Sequence, residues 1–210
     1  MKHGVPQGSI LGPLFFTVFI NDLPLHVSSS EIDLNADDVT ITSSADCGSI
    51  GRLQESLDTF VSEVFNWALA NRLPLSEKKT KVLTVKGKRL STQINNNLKI
   101  TCNGSLLTNV MNVKLLGLET DEELTFSEHI TTVCKKVTQR IGLLKKITNH
   151  LPLKQRLLYY NALIRPVINY TSVLRTNCDK ESLERALKLQ KRPARVILNA
   201  PPSSTINSLV

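Results

Sequence analysis

The sequence has few of the residues from which metal and disulfide frameworks are built. Its four cysteines, Cys47, Cys102, Cys134 and Cys178, lie 55, 32 and 44 residues apart. Neither a CxxC pair nor a Cys/His cluster arises at this spacing, which argues against a zinc site. We therefore expect reduced, partly buried thiols in an intracellular protein.

Long apolar runs are also missing. The run from Ile10 to Ile20 is interrupted by Gly12-Pro13 and is too short to span a bilayer. The first 30 residues do contain a lysine, an apolar stretch and terminal small residues, as a signal peptide does. The interruption favours a different interpretation, so we expect a protein of the nucleus or cytoplasm that is not secreted and has no membrane partner.

Acidic residues are scarce in the last part of the chain. Residues 122–210 contain 15 Lys and Arg against 6 Asp and Glu, whereas residues 1–121 contain 11 against 12. A basic segment favours a polyanionic partner, although a solvated helix face produces the same pattern. The 210 residues suffice for one sizeable core, or for a core with a smaller helical appendage.

Before about residue 125, the patterning predicts an α+β fold. A helix that begins at Pro13 and runs to about Val27 is apolar on most faces and is expected to be buried. A second helix is indicated over about 53–68 by apolar residues at helical spacing, and several short strands surround it. Two of these strands, EIDLN and VTIT, place Asp37 and Asp38 at the tip of a hairpin.

From Ser127 the sequence is helical and basic. Helices are predicted over about 127–147, 153–175 and 180–199. The apolar face of the first comprises Ile130, Val133, Val137, Ile141, Leu144 and Ile147. The same helix carries five basic residues, namely Lys135, Lys136, Arg140, Lys145 and Lys146.

Four motifs stand in a fixed order along the chain: "GVPQGSILGPL", "NADDVTIT", "LSEKKTKVLTV" and "VKLLGLETD". Together they resemble the reverse transcriptases of non-LTR (LINE-type) retrotransposons, and the likeness continues to about Ala200. The resemblance implies a partial polymerase palm over 1–125, an antiparallel sheet with packed helices, followed by a basic helical thumb over 126–210. The last motif corresponds to the hairpin that grips the primer end in that family.

The resemblance also assigns a role to the acid pair. An Asp-Asp sequence in a hairpin is, on its own, usually a structural turn. By the family pattern, Asp37 is a metal ligand and Asp38 its less direct neighbour. The reaction implied is template-directed nucleotidyl transfer with Mg²⁺ or Mn²⁺, on an RNA template, a DNA primer and deoxynucleotides.

Further binding positions follow from the same likeness. The glycine-bearing loop, which would border the nucleotide and template, comprises Gly4, Pro6, Gln7 and Gly8. Lys79 matches a lysine near the nucleotide phosphates, although Lys78 and Lys81 flank it and all three could be solvated surface residues. The five basic residues of the first thumb helix would track the phosphate backbone of the nucleic acid.

The sequence also departs from the family. The third catalytic carboxylate lies on a strand upstream of the glycine-bearing loop, and neither that strand nor the fingers region has a counterpart here. Asn35 stands where an aromatic residue is usual, Arg175-Thr176 where Trp-Gly is common, and Pro193 lies inside a predicted helix at a position usually occupied by Ala. These changes predict no polymerase activity for this chain alone, and they leave open whether the fragment binds a metal at all.

Three hypotheses remain open from the sequence. The first is a fragment of an RNA-directed DNA polymerase, and the second is a non-catalytic nucleic-acid-binding remnant of a mobile element that uses only the basic helices. The third is an unstable product, because an incomplete palm exposes sheet edges and core. The sequence does not identify the template or the oligomeric state, nor whether Met1 is the true start.

Overall fold

The computed structural model describes residues 8–27, 31–87, 98–170, 172 and 180–199. The chain divides into two compact units, one of residues 1–84 and 89–110, the other of residues 85–88 and 111–210. Each contains helices and short strands, which confirms the predicted α+β class. Within the described ranges, no helix has the length and apolar character needed to cross a lipid bilayer.

The first unit is built around one long helix. Its helices are α1 (Gly12–Ile20) and α2 (Ile50–Ala70), with short 3₁₀ turns at Leu23–His26 and Cys47–Ser49. Its strands are β1 (Glu31–Asn35), β2 (Asp38–Thr42), β3 (Lys81–Val82), β4 (Thr101–Cys102), β5 (Ser105–Leu106) and β6 (Thr108–Asn109). The described strands form two-stranded sheets; β1–β2 and β4–β5 are antiparallel, whereas β3–β6 is parallel.

Two clusters of buried side chains flank α2. The carboxyl-terminal half of α2 contributes Val64, Trp67 and Ala68, which pack with Ile20 and Leu23. The amino-terminal half packs against a cluster made by Leu98, Ile100, Cys102 and Leu107. Polar side chains of α2 complete this second contact, since Asp58 accepts a 2.8 Å hydrogen bond from the backbone N–H of Thr101.

The prediction of a buried first helix is wrong on its outer face. Leu14, Phe15 and Val18 are 58%, 54% and 69% exposed, whereas Gly12 and Ile20 are buried. The helix is also shorter than expected, because it ends at Ile20 and the chain resumes as a 3₁₀ turn. Apolar residues around a whole helix need neighbours on all sides, and the described residues cover α1 on one side only.

The second unit combines a hairpin with a helical bundle. The hairpin is β7 (Asn112–Leu115) and β8 (Leu118–Asp121), and the helices are α3 (Ser127–Ile147), α4 (Leu153–Tyr159), α5 (Arg165–Tyr170) and α6 (Lys180–Ile197). Val137, Ile141 and Leu144 of α3 form the core with Ile164, Ile168 and Ile197. The apolar face predicted for α3 is therefore confirmed at these positions, while Ile147 is 38% exposed.

Two prolines interrupt the hydrogen bonding of the bundle helices. A π-helical turn, Tyr160–Ile164, joins α4 to α5 immediately before Pro166. Because Pro166 lacks an N–H group and its ring crowds the preceding turn, a widened turn accommodates it. Pro193 lies inside α6, as predicted, and its side chain is fully buried. The turn predicted at 177–179 lies outside the described residues.

Candidate metal and nucleic-acid site

The acid pair lies where the sequence predicts it, at the tip of a two-stranded hairpin. Asn35 pairs with Asp38, so Ala36 and Asp37 form a two-residue turn. Ala36 has a φ of 53°, and a positive φ at the first turn position suits the right-handed twist of the flanking strands. Both Asp37 and Asp38 are exposed, which keeps their carboxylates hydrated and available for ligands.

The hairpin has one apolar and one polar face. Ile32 pairs with Ile41 and Leu34 with Val39, and all four pack against the buried cluster of α2. Cross-strand partners share a face, so the opposite face carries Asn35 with Asp38 and Asp33 with Thr40. The apolar face therefore holds the hairpin against α2, and the acid pair lies at the end of the hairpin that is exposed to solvent.

The described residues bring no third metal-ligating side chain to the acid pair. In the ranges described, no group of three or more His, Cys, Asp or Glu side chains is arranged to hold a metal ion. Two exposed carboxylates are nevertheless hard oxygen ligands of the type that Mg²⁺ accepts, with water and substrate phosphates completing its octahedron. The chemical type of these two ligands suits Mg²⁺, and binding of the ion at this hairpin stays a prediction.

The glycine-bearing loop is described only in part. Gly8 has a φ of +84°, a conformation that L side chains rarely adopt. Among the described residues, and leaving out its neighbours in the chain, no heavy atom lies within 4 Å of the position that a Cβ would take there. Gly4, Pro6 and Gln7 lie outside the described residues, so the arrangement of this loop around a nucleotide stays a prediction.

The lysine segment forms an exposed turn between α2 and β3. The backbone N–H groups of Lys79 and Thr80 both donate to the carbonyl of Ser76, at 3.0 Å. Lys78 and Lys79 are exposed, and Lys81 begins β3. The fold thus presents these lysines to solvent, and the choice among them for a phosphate contact stays open.

The basic residues of α3 do not share one face. Lys135 and Lys146 are separated by about three turns and point the same way, whereas Lys136 and Arg140 lie on another flank. Lys135, Lys136, Lys145 and Lys146 are exposed. Arg140 is partly used within the fold, because Nη1 donates a hydrogen bond to the carbonyl of Leu163 in the π-helical turn. Its assignment to phosphate contact is accordingly weaker than that of the four lysines.

A second basic stripe, on α6, was missed among the sequence-predicted site residues. Lys188, Lys191, Arg192 and Arg195 recur at the spacing i, i+3, i+4, i+7, which places them along one side of the helix. Lys188 pairs with Glu184 at 3.2 Å, and both side chains are largely exposed. Since α3 and α6 pack together in the second unit, the bundle carries basic residues on two helices. The signal was the helical spacing itself.

The β7–β8 hairpin is attached to the helices at its tip and its middle, and to the loop that precedes α3 at its end. At the tip, the hydroxyl of Tyr170 donates to the carbonyl of Leu116. In the middle, the backbone N–H of Glu119 donates to Nδ1 of His129, at 3.3 Å. At the end, the carboxylate of Asp121 accepts three backbone N–H bonds, including one from Phe126 at 2.6 Å.

Burial and hydrogen bonding change the acidity of two of these groups. Burial acts to raise the pKa of Asp121, but the hydrogen bonds from Thr125, Phe126 and Glu123 outweigh it and the pKa is lowered. The pKa of His129 is lowered, mainly because burial disfavours its charged form. At neutral pH the ionised form of Asp121 and the neutral form of His129 are therefore favoured, and these are the forms that accept the hydrogen bonds.

Comparison with known proteins identifies the family. The family model described as "Reverse transcriptase (RNA-dependent DNA polymerase)" matches residues 1–120, a range that includes the acid hairpin. The chain belongs to the reverse transcriptase family. Its relatives place it among the reverse transcriptases of non-LTR, LINE-type retrotransposons.

Three relatives match nearly the whole chain. The RNA-directed DNA polymerase from mobile element jockey of Drosophila melanogaster is 28% identical, over 94% of this chain and 22% of that protein. The jockey enzyme of Drosophila funebris is 29% identical over 96% of the chain and 22% of its own length. The probable RNA-directed DNA polymerase from transposon BS of Drosophila melanogaster is 29% identical, over 96% and 23% respectively.

This reverse transcriptase sequence thus spans about a fifth of the length of these curated relatives, 22% of the jockey proteins. No solved structure gives a significant match to the chain. The range matched by the family model includes the hairpin that carries Asp37 in its turn and Asp38 at the start of β2.

Proposed function

We propose that the chain is a part of an RNA-directed DNA polymerase in which residues 1–125 contribute to the palm and residues 126–210 to the thumb. The observation that carries this proposal is the family match over residues 1–120, within which Asp37 and Asp38 occupy an exposed hairpin tip. Carboxylates at an exposed tip of a hairpin that packs firmly against α2 are suitably placed to hold metal ions that also contact a nucleotide.

The two carboxylates would hold the divalent ion. When bound, Mg²⁺ or Mn²⁺ supplies charge stabilisation to the phosphates during nucleotidyl transfer. By the family pattern, Asp37 in the turn would be the metal ligand and Asp38, which shares the polar face with Asp33, its less direct neighbour. Gly4, Pro6, Gln7 and Gly8 would border the nucleotide and template, and Lys79 would face the phosphates.

The partners in this proposal are an RNA template, a DNA primer and deoxynucleotides, met in the nucleus or the cytoplasm. Catalysis by two ions needs more oxygen ligands than two adjacent carboxylates offer. We therefore expect that the 210-residue chain alone binds nucleic acid without extending a primer. In an extension assay with Mg²⁺ or Mn²⁺, DNA synthesis that disappears in Asp37→Ala would contradict that expectation.

A second candidate function, nucleic-acid binding without catalysis, rests on the basic bundle. Residues 122–210 hold 15 basic against 6 acidic residues, and Lys135, Lys136, Lys145 and Lys146 are exposed on α3. Exposed lysines that neutralise phosphates release counterions, so affinity falls steeply with salt.

Fluorescence anisotropy with a labelled RNA–DNA hybrid tests this binding. Replacing the four α3 lysines by Gln should weaken binding and reduce the slope of log affinity against log salt, by up to about one for each lysine that neutralises a phosphate. The matched control replaces the same four residues by Arg, which keeps the charge and should keep the slope. Equal salt slopes for the Gln and Arg variants would exclude α3 as the binding surface.

A further inference from the structure

His129 is a buried histidine at the junction between the β7–β8 hairpin and α3. It lies in the first turns of α3 and is 5% exposed. Its Nδ1 lies 3.3 Å from the backbone nitrogen of Glu119, which can only donate. Nδ1 must therefore be the unprotonated nitrogen of a neutral ring, and the proton resides on Nε2.

The other ring nitrogen of His129, Nε2, does not help to hold the β7–β8 hairpin against α3. Nε2 is buried and, in the part of the chain that the structure describes, has no hydrogen-bond partner. A buried donor without a partner is a cost that most proteins avoid. Among the described residues, the hydrogen bond that holds the neutral His129 ring is therefore the one that Nδ1 accepts.

Charged groups surround the ring on both elements. Glu119 of β8 favours the protonated ring, whereas Lys114 of β7 and Lys136 of α3 oppose it. Glu119 is itself held on α3, since its Oε2 accepts a hydrogen bond from Thr132 at 3.3 Å. Glu128, which precedes His129 in α3, accepts a hydrogen bond from the side chain of Asn112 in β7 at 3.3 Å. Burial and the two lysines together outweigh Glu119, so the neutral form is favoured.

We propose that His129 is a positioning residue that holds the β7–β8 hairpin on α3 when neutral and releases it when protonated. Protonation of Nδ1 converts the acceptor for the Glu119 N–H into a second donor, so the hydrogen bond is lost. It also places a positive charge in a buried site beside Lys114 and Lys136. Both effects favour a hairpin that has separated from α3, where the ring is hydrated.

The direction of the pH dependence follows from linkage. The ring in the open hairpin titrates near the ordinary histidine pKa of 6.5, and the docked ring titrates lower. The docked hairpin is therefore fully favoured above about pH 6.5 and is progressively lost as the pH falls below it, by up to about tenfold per pH unit, until the docked ring itself is protonated. If the hairpin binds the primer end, which rests on the proposed function, a fall in pH would weaken primer binding.

Hydrogen–deuterium exchange of the full chain without nucleic acid tests the device directly. After correction for the intrinsic exchange rate, protection of the 112–121 segment should be constant above pH 7 and several-fold lower at pH 5.5. The segment 50–70, which is α2 of the first unit, should keep its protection over the same range and so controls for a general effect of pH on exchange.

Two variants separate positioning from packing. His129→Asn offers an oxygen close to the place of Nδ1 and does not titrate in this range, so its hairpin protection should be the same at pH 5.5 and 7.5. His129→Phe keeps a ring but removes the acceptor, and its hairpin should be less protected at both values. His150→Asn, at an exposed histidine of the same unit, is the control and should retain the wild-type pH dependence.

The proposal is overturned if wild-type hairpin protection is unchanged at pH 5.5, or if His129→Asn loses protection on acidification as the wild type does. Binding of an RNA–DNA hybrid, measured at pH 7.5, is the separate arm. A chain that fails to bind the hybrid but shows the His129-dependent exchange contradicts the proposed function and leaves this inference intact.

Discussion

Tyr170, the last residue of α5, donates the hydrogen bond of its hydroxyl to the backbone carbonyl of Leu116. The Tyr170 hydroxyl also lies 3.4 Å from the place a Cβ would occupy on Gly117. Leu116 and Gly117 form the turn of the hairpin with φ values of 47° and 85°. A residue 54 positions away in the sequence thus holds the turn against the bundle.

The first prediction concerns this contact. Tyr170→Phe removes one hydrogen bond and should lower the free energy of unfolding by about 1 kcal/mol. Gly117→Ala should cost at least as much, because Ala is strained at a φ of +85°, although its Cβ would come only into ordinary van der Waals contact with Tyr170. Urea denaturation measures both. Gly87→Ala is the control, since within the described ranges no heavy atom other than those of its chain neighbours lies within 4 Å of its added Cβ; a cost equal to that of Gly117→Ala would refute the explanation.

The second prediction is a stabilising change. Gly142 lies in the interior of α3 and is exposed, and an added Cβ would meet no heavy atom of the described residues within 4 Å outside its own helix backbone and chain neighbours. Gly142→Ala should raise the free energy of unfolding by about 0.5–1 kcal/mol, because Ala loses less backbone entropy than Gly in a helix. Thermal denaturation followed by circular dichroism measures the gain. A decrease in melting temperature would show that the α3 surface has a neighbour that a methyl group disturbs.

The third prediction concerns Asp121, whose carboxylate holds the loop between β8 and α3. Oδ1 accepts from the N–H groups of Glu123 and Thr125, and Oδ2 accepts from the Thr125 hydroxyl and the Phe126 N–H. Asp121→Asn replaces one of these oxygens by an NH₂ group that cannot accept. We expect a loss of about 2 kcal/mol in the free energy of unfolding at pH 7.

The pH dependence of this loss can be derived. The folded-state pKa of Asp121 is below the ordinary value of 3.8, so its contribution is present above about pH 3.8 and is lost as the pH falls through the folded value. Urea titrations at pH 7 and pH 3 should show the gap between wild type and variant shrinking at acid pH. Asp22→Asn, at an exposed aspartate, is the control. A gap that stays constant down to the acid limit would exclude the charged carboxylate as its cause.

The fourth prediction concerns the outer face of α1. Leu14 and Val18 are 58% and 69% exposed and lie one helical turn apart, next to the exposed Phe15. Exposed apolar patches promote self-association, so the double variant Leu14→Lys, Val18→Lys should scatter less light at a given concentration while its unfolding transition changes little. Ile20→Lys, on the buried side, should instead destabilise the first unit. Equal light scattering from the double variant and the wild type would contradict this prediction.

Local sequence patterns correctly predicted the elements that depend on neighbouring residues. The acid pair was correctly predicted at a hairpin tip, because the conformation of a turn between two alternating strands depends on residues only a few positions apart. The core face of α3 was predicted because apolar residues at helical spacing must share one side. The glycine-bearing loop and the lysines were assigned through family resemblance, and their joint arrangement with the acids is still a prediction.

The sequence by itself determined the α+β class, the exposed acid turn, the inward face of α3 and the family to which the chain belongs, since each is encoded in short-range order or in ordered motifs. Only the tertiary structure decided that the outer face of α1 is exposed, that Arg140 donates a hydrogen bond to the carbonyl of Leu163, and that His129 and Tyr170 hold one hairpin. These contacts join residues that the chain separates, and which of the many possible partners meet depends on how the helices pack.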